Sequence, residues 1–201
     1  SFPAEMSPPR AATADRTDKP EVILEAALGL FVERGFHGTT VPEVAERAGV
    51  GAGTIYRYFA SKEALVNALY RKHKNAIAES ILHDFPAQAP AREQFHTLWQ
   101  RMIRHALANP HAFAFLELHH HASYLDEESR ATERRLVDFA VNFIDSMQAR
   151  GEIKRLPALL LIGLVMGAFI GILRKHWENG LVLSDANILA AEQCTWEAVR
   201  I

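Results

Sequence analysis

Cysteine is almost absent. Cys194 is the single one among 201 residues, so no disulfide can close within the chain and nothing calls for an oxidising compartment. Net charge is also small, at a formal −2 near neutral pH. Bulk basicity is therefore excluded as a source of nucleic-acid affinity, and any such role must rest on a local patch. Strand-like alternation is missing, because apolar positions recur three and four residues apart nearly everywhere, which predicts an all-α protein. No period of about 20 to 50 residues recurs. A nucleophile elbow, a phosphate loop and a zinc-protease signature are all lacking, so nothing points to an enzyme. The opening "SFPAEMSPPRAATADRTDKP" has no apolar run of the kind that directs secretion. A reducing, cytoplasmic location is the expectation.

What is present is ordinary for a folded soluble chain, with 49% hydrophobic and 23% charged residues. Residues 1–18, rich in Pro, Ala, Ser and Thr, read as a disordered tail. Arg10, Arg16 and Lys19 could add phosphate contacts there, or lie idle. A first helix is expected over about residues 20–34, with Ile23, Ala27, Leu30 and Phe31 on its inner face and Gly35 stopping it. A second starts after Thr40, where Thr-x-x-Glu forms a capping box with Glu43, and ends at Gly49. A very short third covers Ala52 to Tyr58, and Ser61 caps a fourth that runs to about residue 84. Later helices are expected over about 91–108, 111–123, 126–150, 157–178 and 185–199.

Two short helices joined by a glycine-bearing turn form a helix-turn-helix, whose second helix enters the DNA major groove. Setting Ile55 inward, at about 100° per residue, turns Gly53 and Arg57 outward and leaves Thr54 and Tyr56 on the edges. Gly53 lets the backbone approach DNA closely, Thr54 and Tyr56 can donate to phosphates or base edges, and Arg57 can fork onto guanine or clamp a phosphate. Tyr58 lies between the buried and exposed faces, and Phe59 reads as core. Lys62, in the first turn of the fourth helix, opposes the helix dipole, which suits a nearby phosphate.

Residues 20–66, through "LFVERGFHGTTV" and "VAERAGVGAGTIYRYFASKEAL", resemble the DNA-binding domain of the TetR family of transcriptional regulators. The resemblance implies that Thr40 contacts phosphate, that Ala52, Gly53, Thr54, Tyr56, Arg57 and Tyr58 supply the recognition helix, and that Lys62 binds the DNA backbone. It also implies a helix-turn-helix domain over 19–66 and a helical effector-binding and dimerisation domain over 67–201. The expected protein is a homodimer that binds double-stranded operator DNA and releases it when a small, largely apolar effector binds. An activator or a regulator without ligand is the alternative.

Composition alone addresses the larger domain. Trp99, Met102, Phe113, Leu116, His120, Phe139, Phe143, Met166 and Phe169 are candidates to line an effector cavity, or are plain core. Glu117 and His121 are four residues apart, but consecutive histidines fan out around a helix and no second cluster accompanies them. Neither a metal nor a cofactor is expected. "LPALLLIGLVMGAFIGIL", residues 156–173, reaches the lower limit of a membrane span, giving a membrane- or lipid-binding protein as the reading from a different class. A buried interface helix explains it equally, and no membrane partner is expected. Gly163, Gly167 and Gly171 could admit a second helix closely, either across a two-fold interface with Leu189 and Trp196 or inside one subunit.

Overall fold

Residues 19–201 are described in the computed structural model, and among them nine α-helices, one π-helical turn and a single isolated β-bridge account for the regular structure. The tail expected over residues 1–18, with Arg10 and Arg16, lies outside the described residues. The helices are α1 (Lys19–Arg34), α2 (Val41–Ala48), α3 (Ala52–Tyr58), α4 (Lys62–Leu82), α5 (Ala91–Ala108), α6 (Pro110–Phe113), α7 (Glu127–Ala149), α8 (Ala158–Asn179) and α9 (Asp185–Val199). The π-helical turn, Ala114–Leu118, follows α6 directly.

One helix departs from its expected course. Periodicity predicts an unbroken helix over about 111–123, but α6 lasts four residues, the π turn follows, and His119 takes an extended backbone that ends it. Residues 119–126 form a loop held by tertiary bonds. Asn67 donates to the carbonyl of Tyr124 at 2.8 Å and accepts from the amide of Asp126 at 2.8 Å. These long-range bonds outweigh the local helical pattern.

The chain divides into two compact units. One takes in the described residues up to Ala76 together with Ala108–Glu133, and the other takes in Ile77–Leu107 and Arg134–Ile201. The unit containing the first three helices takes in more than these helices, because α1 packs on α6 and the π turn as well as on α2 and α3. Its core joins Ile23, Ala27, Leu30 and Phe31 of α1 to Val44, Ile55, Leu65 and Leu69. Phe31 meets Phe115 of the π turn at a ring separation of 6.1 Å.

The second unit is built around Trp99. Its indole stacks on Phe95 at 6.0 Å and meets Phe169 edge-on at 6.4 Å, while Phe95 also touches Trp196 at 5.4 Å. Trp196, expected at a two-fold interface, is therefore a core residue of its own chain. Glu192 is fully buried on α9 and is held by three α5 side chains: Arg92 Nη1 at 2.6 Å, His96 Nδ1 at 2.9 Å and Gln100 Nε2 at 3.1 Å. Burial raises the carboxyl's pKa, but the bonds from Gln100, His96 and Arg92 outweigh it and the net direction is down.

Helix α8 is the one described helix long and apolar enough to cross a membrane by length and composition. Leu159, Leu160 and Leu164 stand exposed along it, and so do Gly163, Gly167 and Gly171. A β-carbon built at any of these glycines meets no atom within 4 Å. Close packing inside one subunit, one of the two roles considered for the glycines, is thereby excluded among the described residues.

Candidate nucleic-acid interface

The α2–turn–α3 unit is fixed by its caps. Thr40, in extended backbone, caps α2: its hydroxyl accepts from the Glu43 amide at 3.4 Å, and Glu43 Oε2 accepts from the Thr40 amide at 2.8 Å. At the other end Gly49 adopts φ 66°, a left-handed conformation that costs glycine little, and its amide bonds back to the carbonyls of Ala45 and Glu46. The chain turns through Val50 and Gly51 into α3, whose only buried residue is Ile55. One anchored side chain on a seven-residue helix leaves the remaining surface turned outward.

That surface is the one the helical wheel predicts. Gly53 and Arg57 are exposed, Tyr56 is 56% and Tyr58 42% exposed, and Ala52 and Thr54 are partly covered. A β-carbon on Gly53 meets nothing within 4 Å, so no neighbour in the chain requires glycine there. Arg57 has no acidic partner among the described residues, whereas nearby Arg47 and Arg34 are neutralised by Glu33 at 2.6 Å and Glu43 at 2.7 Å. Local charge is thus cancelled around the helix-turn-helix and left uncancelled at the tip of α3. Large aromatic side chains held in water beside a free guanidinium suit groove and phosphate contact better than they suit a lone chain.

Two of the expected phosphate contacts meet a more crowded geometry. Thr40 Oγ1 donates to Glu43 Oε2 at 2.7 Å, so its proton is engaged in the free chain. Those two Thr40 bonds, side chain first, hold the Glu43 carboxyl below its ordinary range. Lys62 is likewise engaged within the chain. Its ammonium donates to the carbonyls of Phe36 at 2.7 Å and Thr39 at 2.9 Å, and lies 4.1 Å from the centroid of the Phe36 ring. It is a strut for the α1–α2 turn.

That turn is tight for a reason that periodicity does not disclose. Thr39, fully buried, donates its hydroxyl to the carbonyls of Leu30 at 3.1 Å and Gly35 at 2.8 Å. A β-carbon on Gly38 would fall 2.3 Å from the carbonyl oxygen of Arg34. On the other side of the turn the ring of Tyr124 stacks on Phe36 with centroids 3.8 Å apart, and its hydroxyl shares a 2.9 Å hydrogen bond with His37 Nε2. Phe36 and His37 fall within "LFVERGFHGTTV", but Asn67 and Tyr124 belong to no motif, and 87 positions separate His37 from Tyr124. Sequence reasoning had no signal by which to join them.

The effector candidates fall in both units. Phe113 and Leu116 are buried in the first unit, where His120 is exposed. Trp99, Met102 and Phe169 are buried in the second, Phe143 and Met166 are partly covered, and Phe139 is 39% exposed. Exposure of His120 and Phe139 removes them from any closed lining within their own units. Of His119, His120 and His121 the buried one is His121, whose Nε2 bonds to the Phe115 carbonyl at 2.7 Å while Nδ1 lacks a partner among the described residues. The Trp99 indole N–H likewise lacks an acceptor among the described residues. Glu117 turns to Lys74 at 3.8 Å and not to His121. No group of three or more metal-ligating side chains occurs among the described residues. An open groove of about 460 Å³ in the second unit is lined by His96, Gln100, Arg101, Arg104, Asp185 and Leu189, with Thr97, and by none of the effector candidates.

A short exposed helix presented by a capped turn defines a helix-turn-helix DNA-binding protein. Comparison with known proteins narrows this further. Residues 23–69 match the family described as bacterial regulatory proteins, tetR family, and residues 70–201 match the tetracyclin repressor-like C-terminal domain. The chain belongs to the TetR family of transcriptional regulators. It is similar to the fatty acid metabolism regulator protein of Bacillus subtilis (strain 168), with 28% identity over 64% of this chain and 66% of that one. It is also similar to the HTH-type transcriptional repressor KstR2 of Rhodococcus jostii (strain RHA1), with 39% identity over 33% of each. The matched regions thus span less than two thirds of either relative. A TetR family transcription regulator from Marinobacter aquaeolei VT8 superposes with a TM-score of 0.81 at 26% identity, over 91% of this chain and 96% of that one.

Proposed function

We propose that this chain is a cytoplasmic, homodimeric repressor that binds operator DNA through α3 and releases it when a small, largely apolar effector occupies the part of the chain after residue 70. Arg57 carries the reading: it is exposed on a helix anchored by Ile55 alone, beside Tyr56 and Gly53, with no acid among the described residues to neutralise it. Ala52, Gly53, Thr54, Tyr56, Arg57 and Tyr58 form the contact surface, and Thr40 joins them if its hydroxyl turns from Glu43 to a phosphate. Lys62 acts from behind.

Three observations support the rest. The exposed leucines and glycines of α8, with Leu189 of α9 at 51% exposure, leave an apolar face that a second copy would cover. Dimerisation would bring two copies of α3 to successive major grooves, about 34 to 36 Å apart or somewhat wider. The unpartnered indole N–H of Trp99, set among Phe95, Met102 and Phe169, suits an apolar effector carrying one hydrogen-bond acceptor. The Bacillus relative is named for the regulation of fatty acid metabolism, which accords with an apolar effector. No covalent chemistry is called for. Effector binding would shift α4, and a coupling of about 1 to 3 kcal/mol would change operator affinity roughly 5- to 150-fold.

Binding is tested with a duplex drawn from the DNA flanking the chain's own coding region. Arg57→Ala and Tyr56→Phe should weaken it by about 1 to 3 kcal/mol with melting temperature unchanged. Equal affinities for the variants and the unmodified chain would remove α3 from the interface.

A further inference from the structure

We infer that Tyr124 is a positioning residue for DNA binding, setting the α1–α2 turn and through it the N-terminus of α2; the inference rests on the DNA-binding reading above. Tyr124 lies far outside the helix-turn-helix in sequence, yet its ring and hydroxyl both reach the α1–α2 turn that leads into it. Its ring covers Phe36 at 3.8 Å and its hydroxyl bonds to His37 at 2.9 Å. Its carbonyl accepts from Asn67 of α4 at 2.8 Å. One residue therefore touches both the turn that precedes the DNA-binding helices and the helix that follows them.

The contact continues inward through a short series of bonds. Phe36 is held by Lys62 at both its ring and its carbonyl, and the same ammonium holds the carbonyl of Thr39 at 2.9 Å. Thr39 precedes Thr40, the cap of α2. A displaced Tyr124 leaves Phe36 without one of its packing faces and His37 without its partner, so the turn keeps only the Phe31 ring, the Thr39 hydroxyl and Lys62 to fix it. Rigid packing carries such a shift across two or three residues instead of absorbing it.

The mounting of Tyr124 makes it adjustable. It sits in a loop, not a helix, and the loop is fastened by discrete side-chain bonds. Besides Asn67, Arg71 of α4 holds Asp126 at 3.0 Å and donates to Ser129 at 3.0 Å. Just upstream the π turn carries Glu117, which faces Lys74 of α4 at 3.8 Å, and Lys74 also meets Glu133 at 3.1 Å. π-helical turns recur at functional positions because they store a local misfit in the helical ladder. Residues 114–126 thus form an arm reaching from α6 to the α1–α2 turn, fastened along α4 by Asn67, Arg71 and Lys74.

The test compares the full chain with Tyr124→Phe, which keeps the stack on Phe36, and Tyr124→Leu, which removes both stack and hydroxyl. In the free protein, amide hydrogen exchange across α2 should quicken roughly tenfold in Tyr124→Leu, stay near the unmodified rate in Tyr124→Phe, and remain unaltered across α9 in both. Operator affinity, read by fluorescence anisotropy, should fall about tenfold in Tyr124→Leu. Adding Thr40→Ala to Tyr124→Leu should cost less than Thr40→Ala costs alone, because both changes act on the same cap. Unchanged exchange in α2, unchanged affinity, or strictly additive losses would each overturn the inference. An unmodified chain that binds no duplex would instead sink the regulator reading, and the exchange rates, which need no DNA, keep the two failures apart.

Discussion

The ammonium of Lys62 lies 2.7 Å from the carbonyl oxygen of Phe36 and 4.1 Å from the centroid of its ring. One side chain thereby satisfies backbone acceptors that a tight turn would leave open, and adds a cation–π contact. Lys62→Met should lower stability to urea by about 1 to 2 kcal/mol. It should also weaken operator binding while leaving the salt slope intact. A lysine that neutralises phosphate would lower that slope by about 1 per protomer when removed, so the slope separates strut from contact.

Gly38 and Gly53 should behave oppositely. A β-carbon at Gly38 falls 2.3 Å from the Arg34 carbonyl, and one at Gly53 meets open space. Gly38→Ala should destabilise the fold by about 2 kcal/mol or more, since backbone must move to admit it. Gly53→Val should melt at the unmodified temperature and lose DNA binding, its side chain standing between α3 and the groove wall. Melting curves and anisotropy on the two variants decide both claims.

On α8, Leu164 is 47% exposed on the face that also bears Gly163 and Gly167. Leu164→Arg should convert the dimer to a monomer in sedimentation experiments while helical content by circular dichroism is kept. A charge placed in an apolar two-fold interface meets its own copy, so each substitution counts twice. A variant that still sediments as a dimer would move the interface elsewhere.

Glu192 is fully buried while its partners Arg92 and His96 are about a third and a half exposed. Glu192→Gln removes the charge and replaces one of the two acceptor oxygens shared by Arg92, His96 and Gln100 with an amide donor. The expected loss is about 2 kcal/mol in urea unfolding, below the range for a wholly buried pair because water reaches the partners. Arg92→Gln should cost less than Glu192→Gln.

Stability should also depend on His121. Burial is the main cause holding its imidazole below the ordinary value of 6.5, with His119 and His120 adding to that and the Phe115 carbonyl acting the other way. The unfolded chain therefore binds a proton that the native chain resists. Stability is full above pH 6.5 and falls as pH drops below it. His105 and His119, also lowered by burial, act in the same direction. Glu117, raised by burial, gains stability as it protonates and opposes them. His121→Gln should flatten the decline in urea midpoint between about pH 7.5 and 5.5 without abolishing it.

Much of this was legible in the residues. Thr40, Glu43 and Gly49 announce the limits of α2 because caps are local: each bond spans three or four positions and needs no distant partner. The spacing around Ile55 likewise turns Gly53 and Arg57 outward from helical periodicity alone. The place of Lys62 in a first turn marks a cation beside the DNA-binding helices, but only the folded turn brings the carbonyls of Phe36 and Thr39 to it. The place of Trp196 on the last helix suits an interface, and the register of α9 against α5 sets its ring beside Phe95.

The sequence by itself determined an all-helical chain, the ends of nearly every helix and the outward face of the DNA-binding one, since all of these follow from periodicity and short-range capping. Only the tertiary structure decided which polar groups meet across long separations: Tyr124 on Phe36 and His37, Lys62 beneath the turn, Glu192 between three α5 side chains, and a π turn where periodicity called for helix. Those pairings depend on how closed loops bring remote residues together, a quantity that no local pattern of amino acids encodes.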